Sequence, residues 1–183
     1  TEMEIATQYS VARPTAKAAI ERLVHEGLLQ RSTNKTARVP LLDADDVRDI
    51  YYSRAFLERE IIGALADTRY MPAAALAAHR VFESFIGEPD LTIIVEADIN
   101  FHRSLASALN SPRLLRLYNQ MLGEIHLCMA QIQVNHLLHP ALIAKEHGAI
   151  IDAIVAGDRS HAIREIDNHL NRACVRLIAH LAN

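Results

Sequence analysis

A mainly α-helical chain in two parts, an N-terminal winged helix-turn-helix followed by an all-α antiparallel helical bundle, is the architecture this sequence predicts. Three observations carry it. Apolar residues recur at spacings of three and four through most of the 183 positions, the period of helices with one buried face. Gly27, Pro72, Pro112, Pro140 and Gly157 punctuate the chain into segments of helix length,. The charge is also uneven. Residues 1–42 carry six Lys/Arg (Arg13, Lys17, Arg22, Arg31, Lys35, Arg38) against four Glu (Glu2, Glu4, Glu21, Glu26), a net of +2, which leaves −5 for residues 43–183 in a chain of net charge −3. A basic segment on an acidic body points to a nucleic-acid reader with a separate regulatory unit.

Taken in order, Glu2 to Tyr9 is a short helix. Ser10-Val11-Ala12 turns the chain into a longer one, whose Ala16, Ala19, Ile20, Leu23 and Val24 share a buried face,. Gly27 stops it, since glycine takes the left-handed conformation at little cost,. Leu28 to Arg31 and Thr36 to Pro40 then predict two short strands around the polar turn Ser32-Thr33-Asn34-Lys35, a wing,. Beyond Pro40, Asp43 or Asp45 caps a long helix reaching Thr68, and Pro72 falls in the first turn of the next, which runs to about Ile86,. Gly87-Glu88-Pro89-Asp90 is a turn before a helix ending at Leu109. Asn110-Ser111-Pro112 restarts the chain into a helix extending into the 130s, His139-Pro140 opens another that ends near Gly157, and Asp158 or Ser160 opens the last. The division expected is therefore residues 1–42 for the partial winged unit and 43–183 for a bundle of six helices,.

Composition excludes some classes. Half of the residues are hydrophobic, yet no apolar run approaches the ~18 residues of a membrane span,. No basic region leads into a signal-like apolar core, so a cytoplasmic protein is expected, and Thr1 in place of Met points to sequence upstream,. Cys128 and Cys174 form no C-x-x-C pair and are expected as buried thiols of a reducing compartment,.

Arg13, Thr15, Lys17 and Arg22 lie off the apolar face of the second helix, mostly near its N-terminus. In a helix-turn-helix that end enters the major groove, where arginine reads guanine and threonine or lysine touches bases or phosphates. Lys35 and Arg38 on the wing suit phosphate or minor-groove contacts,. Charge alone fits an ordinary solvated helix equally well; the ordered series of turn, helix, glycine stop and hairpin favours DNA.

In the second part, Asp98 and His102 stand at i and i+4, one turn apart on one helical face, where they can offer two cis ligands to one ion,. His147 and His169 lie in later helical stretches. Three imidazoles and a carboxylate are what a divalent transition metal accepts from a protein. Each residue alone also reads as a surface partner in a chain with ten histidines, and no role is assigned to His25, His79, His126, His136, His139, His161 or His180.

The run EIATQYSVARPTAKAAIERLVHEGLLQR, then a short wing, then DADDVRDIYYSRAFLERE, resembles the GntR family of bacterial repressors in its FadR-like branch with an FCD effector domain. The likeness rests on Val11-Ala12-Arg13, Ala16-Lys17-Ala18-Ala19-Ile20, Glu26-Gly27-Leu28 and Arg54-Ala55-Phe56-Leu57-Glu58. Ala12 departs from the family's serine and removes a helix cap, at a typical cost of ~1 kcal/mol,. Met3 stands where the family often has a DNA-contacting arginine, and the resemblance implies a first winged-domain helix not contained in these residues.

The resemblance also implies one metal held by Asp98, His102, His147 in Glu146-His147-Gly148-Ala149-Ile150, and His169. Four ligands close a tetrahedron or leave two octahedral positions for water or a carboxylate, and the family favours the second. Zinc is the first choice of ion, with nickel and manganese open. Arg54 then becomes the clamp for a small organic acid, because a guanidinium grips a carboxylate in two parallel bonds. The other reading of Arg54 is a surface ion pair with Glu58 at i+4,. Asn168 and Arg172, beside His169, are further effector candidates.

The function implied is a homodimeric DNA-binding repressor controlled by a carboxylate metabolite, with dimerisation following from palindromic half-sites. Two alternatives share the metal: a hydrolase in which the ion activates water, with Glu146 as the available base, and a regulator whose signal is the ion itself,.

Overall fold

The computed structural model describes residues 1–31, 36–84, 90–132 and 139–181. The chain divides into two compact units, Thr1–Leu42 and Asp43–Asn183.

In the first unit, α1 (Glu2–Gln8) packs on α2 (Arg13–His25) across a turn in which Ser10 takes φ 53°. Ala12 gives α2 no side-chain cap, and Pro14 sits in the first turn, where its missing N–H costs nothing,. Ala16 and Ile20 bury the inner face. Gly27, at φ 76°, follows the C-cap. The two expected strands reduce to one antiparallel bridge: Gln30 N–H donates to Arg38 C=O at 2.8 Å and Arg38 N–H to Gln30 C=O at 3.0 Å. A two-residue-wide ribbon has little to bury, and Pro40 has no N–H to extend the ladder. The expected turn Ser32 to Lys35, and with it the Lys35 contact, lies outside the described residues.

The second unit contains α3 (Ala44–Thr68), α4 (Ala73–Glu83), α5 (Leu91–Ala108), α6 (Pro112–Ile132), α7 (Pro140–Ala156) and α8 (Arg159–Leu181). Their ends follow the capping chemistry. Asp43 Oδ1 accepts from the Asp45 and Asp46 N–H groups at 2.8 and 2.9 Å, and Asp46 accepts from the Asp43 N–H at 3.0 Å, a closed capping box,. Pro72 is the N-cap of α4 rather than part of its first turn. Asp90 caps α5 through the Thr92 N–H at 2.8 Å, and Asp158 accepts from the His161 N–H at 2.8 Å at the start of α8. Gly157, at φ 76°, ends α7 in the left-handed conformation,. α3 packs against α5, α6, α7 and α8, while α4 packs against α5 and α7. Ile61, Ile62 and Leu65 of α3 are buried, as are Ile94, Leu105, Ile150, Ile154 and Ile166. Each such side chain contributes about 1.5–3 kcal/mol through its removal from water. No described helix is long and apolar enough to cross a membrane.

Candidate functional site

Among the described residues, eight polar side chains interrupt this core: Arg54, Glu58, His79, Asp98, His102, Glu146, His147 and His169 are all buried. Ionisable groups without water need partners or a metal. The helix periods explain how they meet. Asp98 and His102 are one turn apart on α5, Glu146 and His147 come from α7, His169 from α8, and Arg54 and Glu58 are one turn apart on α3.

One ligand atom from each of Asp98, His102, His147 and His169 lies within 4.8 Å of all the others. His102 Nε2 is 3.2 Å from His169 Nε2, His147 Nε2 is 3.4 Å from Asp98 Oδ1, and His102 Nε2 is 3.8 Å from that same oxygen. Metal–nitrogen bonds of about 2.0–2.1 Å place adjacent ligand atoms about 2.9–3.4 Å apart, so the two shorter separations have the scale of a coordination polyhedron's edges and the third is wider.

The hydrogen bonds behind the rings make the match more specific. His102 Nδ1 donates to Glu58 Oε2 at 2.7 Å, and His169 Nδ1 donates to Glu146 Oε2 at 2.7 Å. Burial alone would raise the Glu58 carboxyl, but the Arg54 guanidinium beside it and the His102 hydrogen bond hold it well below the usual carboxylate range. Glu146 is likewise held down against burial by its bond to His169 and by the charges of Arg172 and Arg176. Two ionised acceptors require N–H at both Nδ1 atoms, which turns both Nε2 atoms toward the cluster, 3.2 Å apart. Two imidazole nitrogens facing each other at that distance need a shared proton or a cation between them.

Burial lowers the His102 imidazole, and burial with the neighbouring His169 pulls His147 down to about 3 although Asp98 opposes this; both rings are therefore neutral, the form that ligates metal,. Asp98 stays ionised, since His102, His147 and Arg54 outweigh its burial. His147 Nε2 and Asp98 Oδ2 have no hydrogen-bond partner. Buried polar atoms left this way, in a set of three imidazoles and one carboxylate, fit a divalent transition ion.

Arg54 is 1% exposed and is not on the surface. The ion pair with Glu58 does form, Nε to Oε1 at 2.6 Å, inside the bundle. Nη2 is 3.8 Å from Asp98 Oδ2, and Nη1 has no partner. The guanidinium thus borders the ligand cluster with donors to spare. Arg172 is not in the cluster; its half-exposed side chain donates from Nε to Glu146 Oε1 at 2.7 Å. Asn168 is exposed and lines a groove of about 440 Å³ with Arg48, Tyr52 and Arg59, because one residue's rotation on α8 turns it about 100° from His169,. It is no part of this site.

Sequence reasoning missed Tyr118 and Phe101, and it gave Glu58 and Glu146 other roles, as a partner of Arg54 and as a candidate base. Tyr118 O–H donates to Glu58 Oε1 at 2.8 Å. Phe101 stacks on His147 with ring centroids 3.9 Å apart, fixing that ring's plane. Glu58 and Glu146 support the histidines; their one signal was position, at i+4 from Arg54 and beside His147. His79, left without a role, is buried 6.2 Å from the His147 ring, outside the ligand set. Because both Glu146 oxygens are engaged, one by His169 and one by Arg172, this carboxylate is not free to act as the base of a hydrolase.

In the first unit, Arg13, Thr15, Lys17 and Arg38 are exposed. Arg13 Nε lies 3.5 Å from Glu2 Oε2, and Lys17 Nζ 3.7 Å from Glu21 Oε1, both loose pairs that solvent weakens,.

The profile of the FCD domain matches residues 49–172, and that of the bacterial regulatory proteins of the gntR family matches residues 1–39. The chain belongs to the GntR family. This GntR protein is 29% identical over 171 residues to the probable D-xylose utilization operon transcriptional repressor of Paenarthrobacter nicotinovorans, covering 92% of the chain and 74% of that relative. It is 25% identical over 197 residues to the transcriptional repressor NanR of Enterobacter sp. strain 638, covering 93% and 73%. In fold it is similar to a GntR transcriptional regulator of Rhodococcus sp. RHA1, with a TM-score of 0.80 at 23% identity, covering 98% of this chain and 86% of the other. It also matches the Zn²⁺-bound FCD domain of the regulator TM0439, with a TM-score of 0.63 at 20% identity over 78% of this chain and 98% of that one. The GntR chain is accordingly a transcriptional regulator and not an enzyme.

Proposed function

We propose that this regulator is a cytoplasmic repressor that binds operator DNA as a homodimer and responds to a small carboxylate held beside a divalent metal. The observation that carries the reading is the buried convergence of Asp98, His102, His147 and His169, with two imidazole nitrogens 3.2 Å apart. Zinc suits these donors best, and nickel or manganese would be accepted by the same set. The Zn²⁺-bound state of the FCD domain of TM0439 supports the choice, and the relatives named as repressors support the sign of regulation.

When bound, the ion supplies open positions for oxygen donors. Arg54 supplies the matching charge: Nη1 is unpartnered and Nη2 borders Asp98, so a carboxylate reaching the metal meets a guanidinium donor,. Arg13, Thr15, Lys17 and Arg38, with Lys35, are assigned to DNA, where the exposed start of α2 offers cations to phosphates and base edges,. An effector that prefers one arrangement of the dimer changes operator affinity by its differential affinity for the two states.

The test is elemental analysis of the purified protein, then calorimetry with mono- and dicarboxylates on metal-loaded and metal-stripped samples. One equivalent of metal and carboxylate binding that requires it support the reading. No metal uptake, or equal carboxylate binding after stripping, overturns it.

A further inference from the structure

The three histidines are not equivalent. His102 and His169 each have a carboxylate at Nδ1, and each carboxylate is in turn held by an arginine. The first relay runs from His102 to Glu58 at 2.7 Å and from Glu58 to Arg54 at 2.6 Å, with Tyr118 on the same oxygen. The second runs from His169 to Glu146 at 2.7 Å and from Glu146 to Arg172 at 2.7 Å. His147 has no such partner: its Nδ1 is buried and makes no hydrogen bond, and its ring is placed by stacking on Phe101 and by the edge of Phe82.

We infer that Glu58 and Glu146 are positioning residues that fix His102 and His169 as Nδ1–H tautomers with Nε2 aimed into the cluster, while His147 is the adaptable third ligand. Hydrogen bonding at one ring nitrogen decides which nitrogen is left to ligate, and it also fixes the ring's rotation. The two relays tie the ligand helices together as well. Glu58 joins α3 to α5 and α6, and Glu146 joins α7 to two residues of α8, so each of the three ligand-bearing helices, α5, α7 and α8, takes part in one of the relays. His147 differs because its Nδ1 has no partner and its Nε2 meets only the Asp98 carboxylate, at 3.4 Å.

The inference rests on the proposed metal site, but it makes a prediction for the metal-free protein. Glu146 is the residue to change, because Arg172 is 43% exposed and can turn to water, whereas removing Glu58 strands a buried Arg54. In long-range ¹H–¹⁵N spectra of the metal-free full chain, His102 and His169 should be Nδ1–H tautomers in the wild type. In Glu146→Leu, His169 should populate the Nε2–H form while His102 stays unchanged, and zinc affinity measured against a chelator should fall by about 10–100-fold. Glu146→Gln keeps an acceptor and should preserve the tautomer with a smaller loss of affinity. Retention of the Nδ1–H tautomer by His169 in Glu146→Leu, or equal loss of zinc affinity in both variants, overturns the positioning role. A wild type that takes up no zinc would sink the proposed function, and the metal-free spectra would still judge the relays.

Discussion

Replacing His147 by leucine should reverse in sign between the metal-free and metal-loaded protein. The side chain is fully buried, and both ring nitrogens lack hydrogen-bond partners. An unsatisfied buried polar atom costs roughly 1–3 kcal/mol, and leucine of similar volume removes that cost. It also gives up the stacking on Phe101, worth about 0.5–1.5 kcal/mol,. The metal-free variant should therefore match or exceed the wild type by about 1–2 kcal/mol. With zinc the order inverts. A site at 100-fold excess over its Kd stabilises the fold by about 2.7 kcal/mol. For a chain of this size that raises Tm by roughly 5–10 °C. Leucine has no ligand atom, so most of this rise should vanish. Thermal unfolding followed by circular dichroism, with and without zinc, reads both halves, and the metal-free trace establishes that the variant folds. A zinc-induced rise in Tm as large in the variant as in the wild type would refute the reasoning.

The other expectations concern pH, effector, DNA and thiol chemistry. In the metal-free protein the His147 pKa is pulled down to about 3 from 6.5, chiefly by burial. The unfolded chain then takes up the additional proton first, so this contribution is fully present above pH 6.5 and is lost as pH falls toward about 3, by a few kcal/mol at most,. Urea midpoints between pH 7.5 and 5 should show that slope, and His147→Leu should flatten it. Arg54→Lys should keep the metal but weaken carboxylate binding in calorimetry, because lysine lacks the planar fork; unchanged binding would remove Arg54 from the effector site. Arg13→Ala should cost ~1–3 kcal/mol in operator affinity if it reads a guanine, whereas Lys35→Ala should weaken all sequences alike and reduce the salt slope. Burial pushes the Cys128 thiol up to about 12, so alkylation at pH 8 should be slow until the protein is unfolded,.

Much of the fold could be read locally. The capping carboxylates Asp43, Asp90 and Asp158, the stop at Gly157 and the apolar period locate the helices, because a helix end is decided by groups within four residues of it,. The wing was less legible. Its residues have strand-like spacing, but strand formation needs a partner to bury against, and one bridge between Gln30 and Arg38 is what forms,.

What the sequence by itself determined is the set of ligand types and their placement within single helices. Asp98 and His102 share a face of α5 because i and i+4 must do so, wherever that helix lies,. Which face of one helix meets which face of another was decided only by packing. Two neighbours on α8, Asn168 and His169, ended on opposite sides of the boundary between surface and core. The same packing carried Glu58 across 44 positions to His102 and Glu146 across 23 to His169. It also put the Arg54–Glu58 pair, whose alternative reading was a surface ion pair, inside the bundle, where the same Glu58 serves both arginine and histidine. The physical reason is that helical periodicity is a short-range property of the backbone, whereas a buried charge finds its partner through the rotation of whole helices, selected by the collective fit of the apolar core and by the cost of leaving any ionised group unpaired.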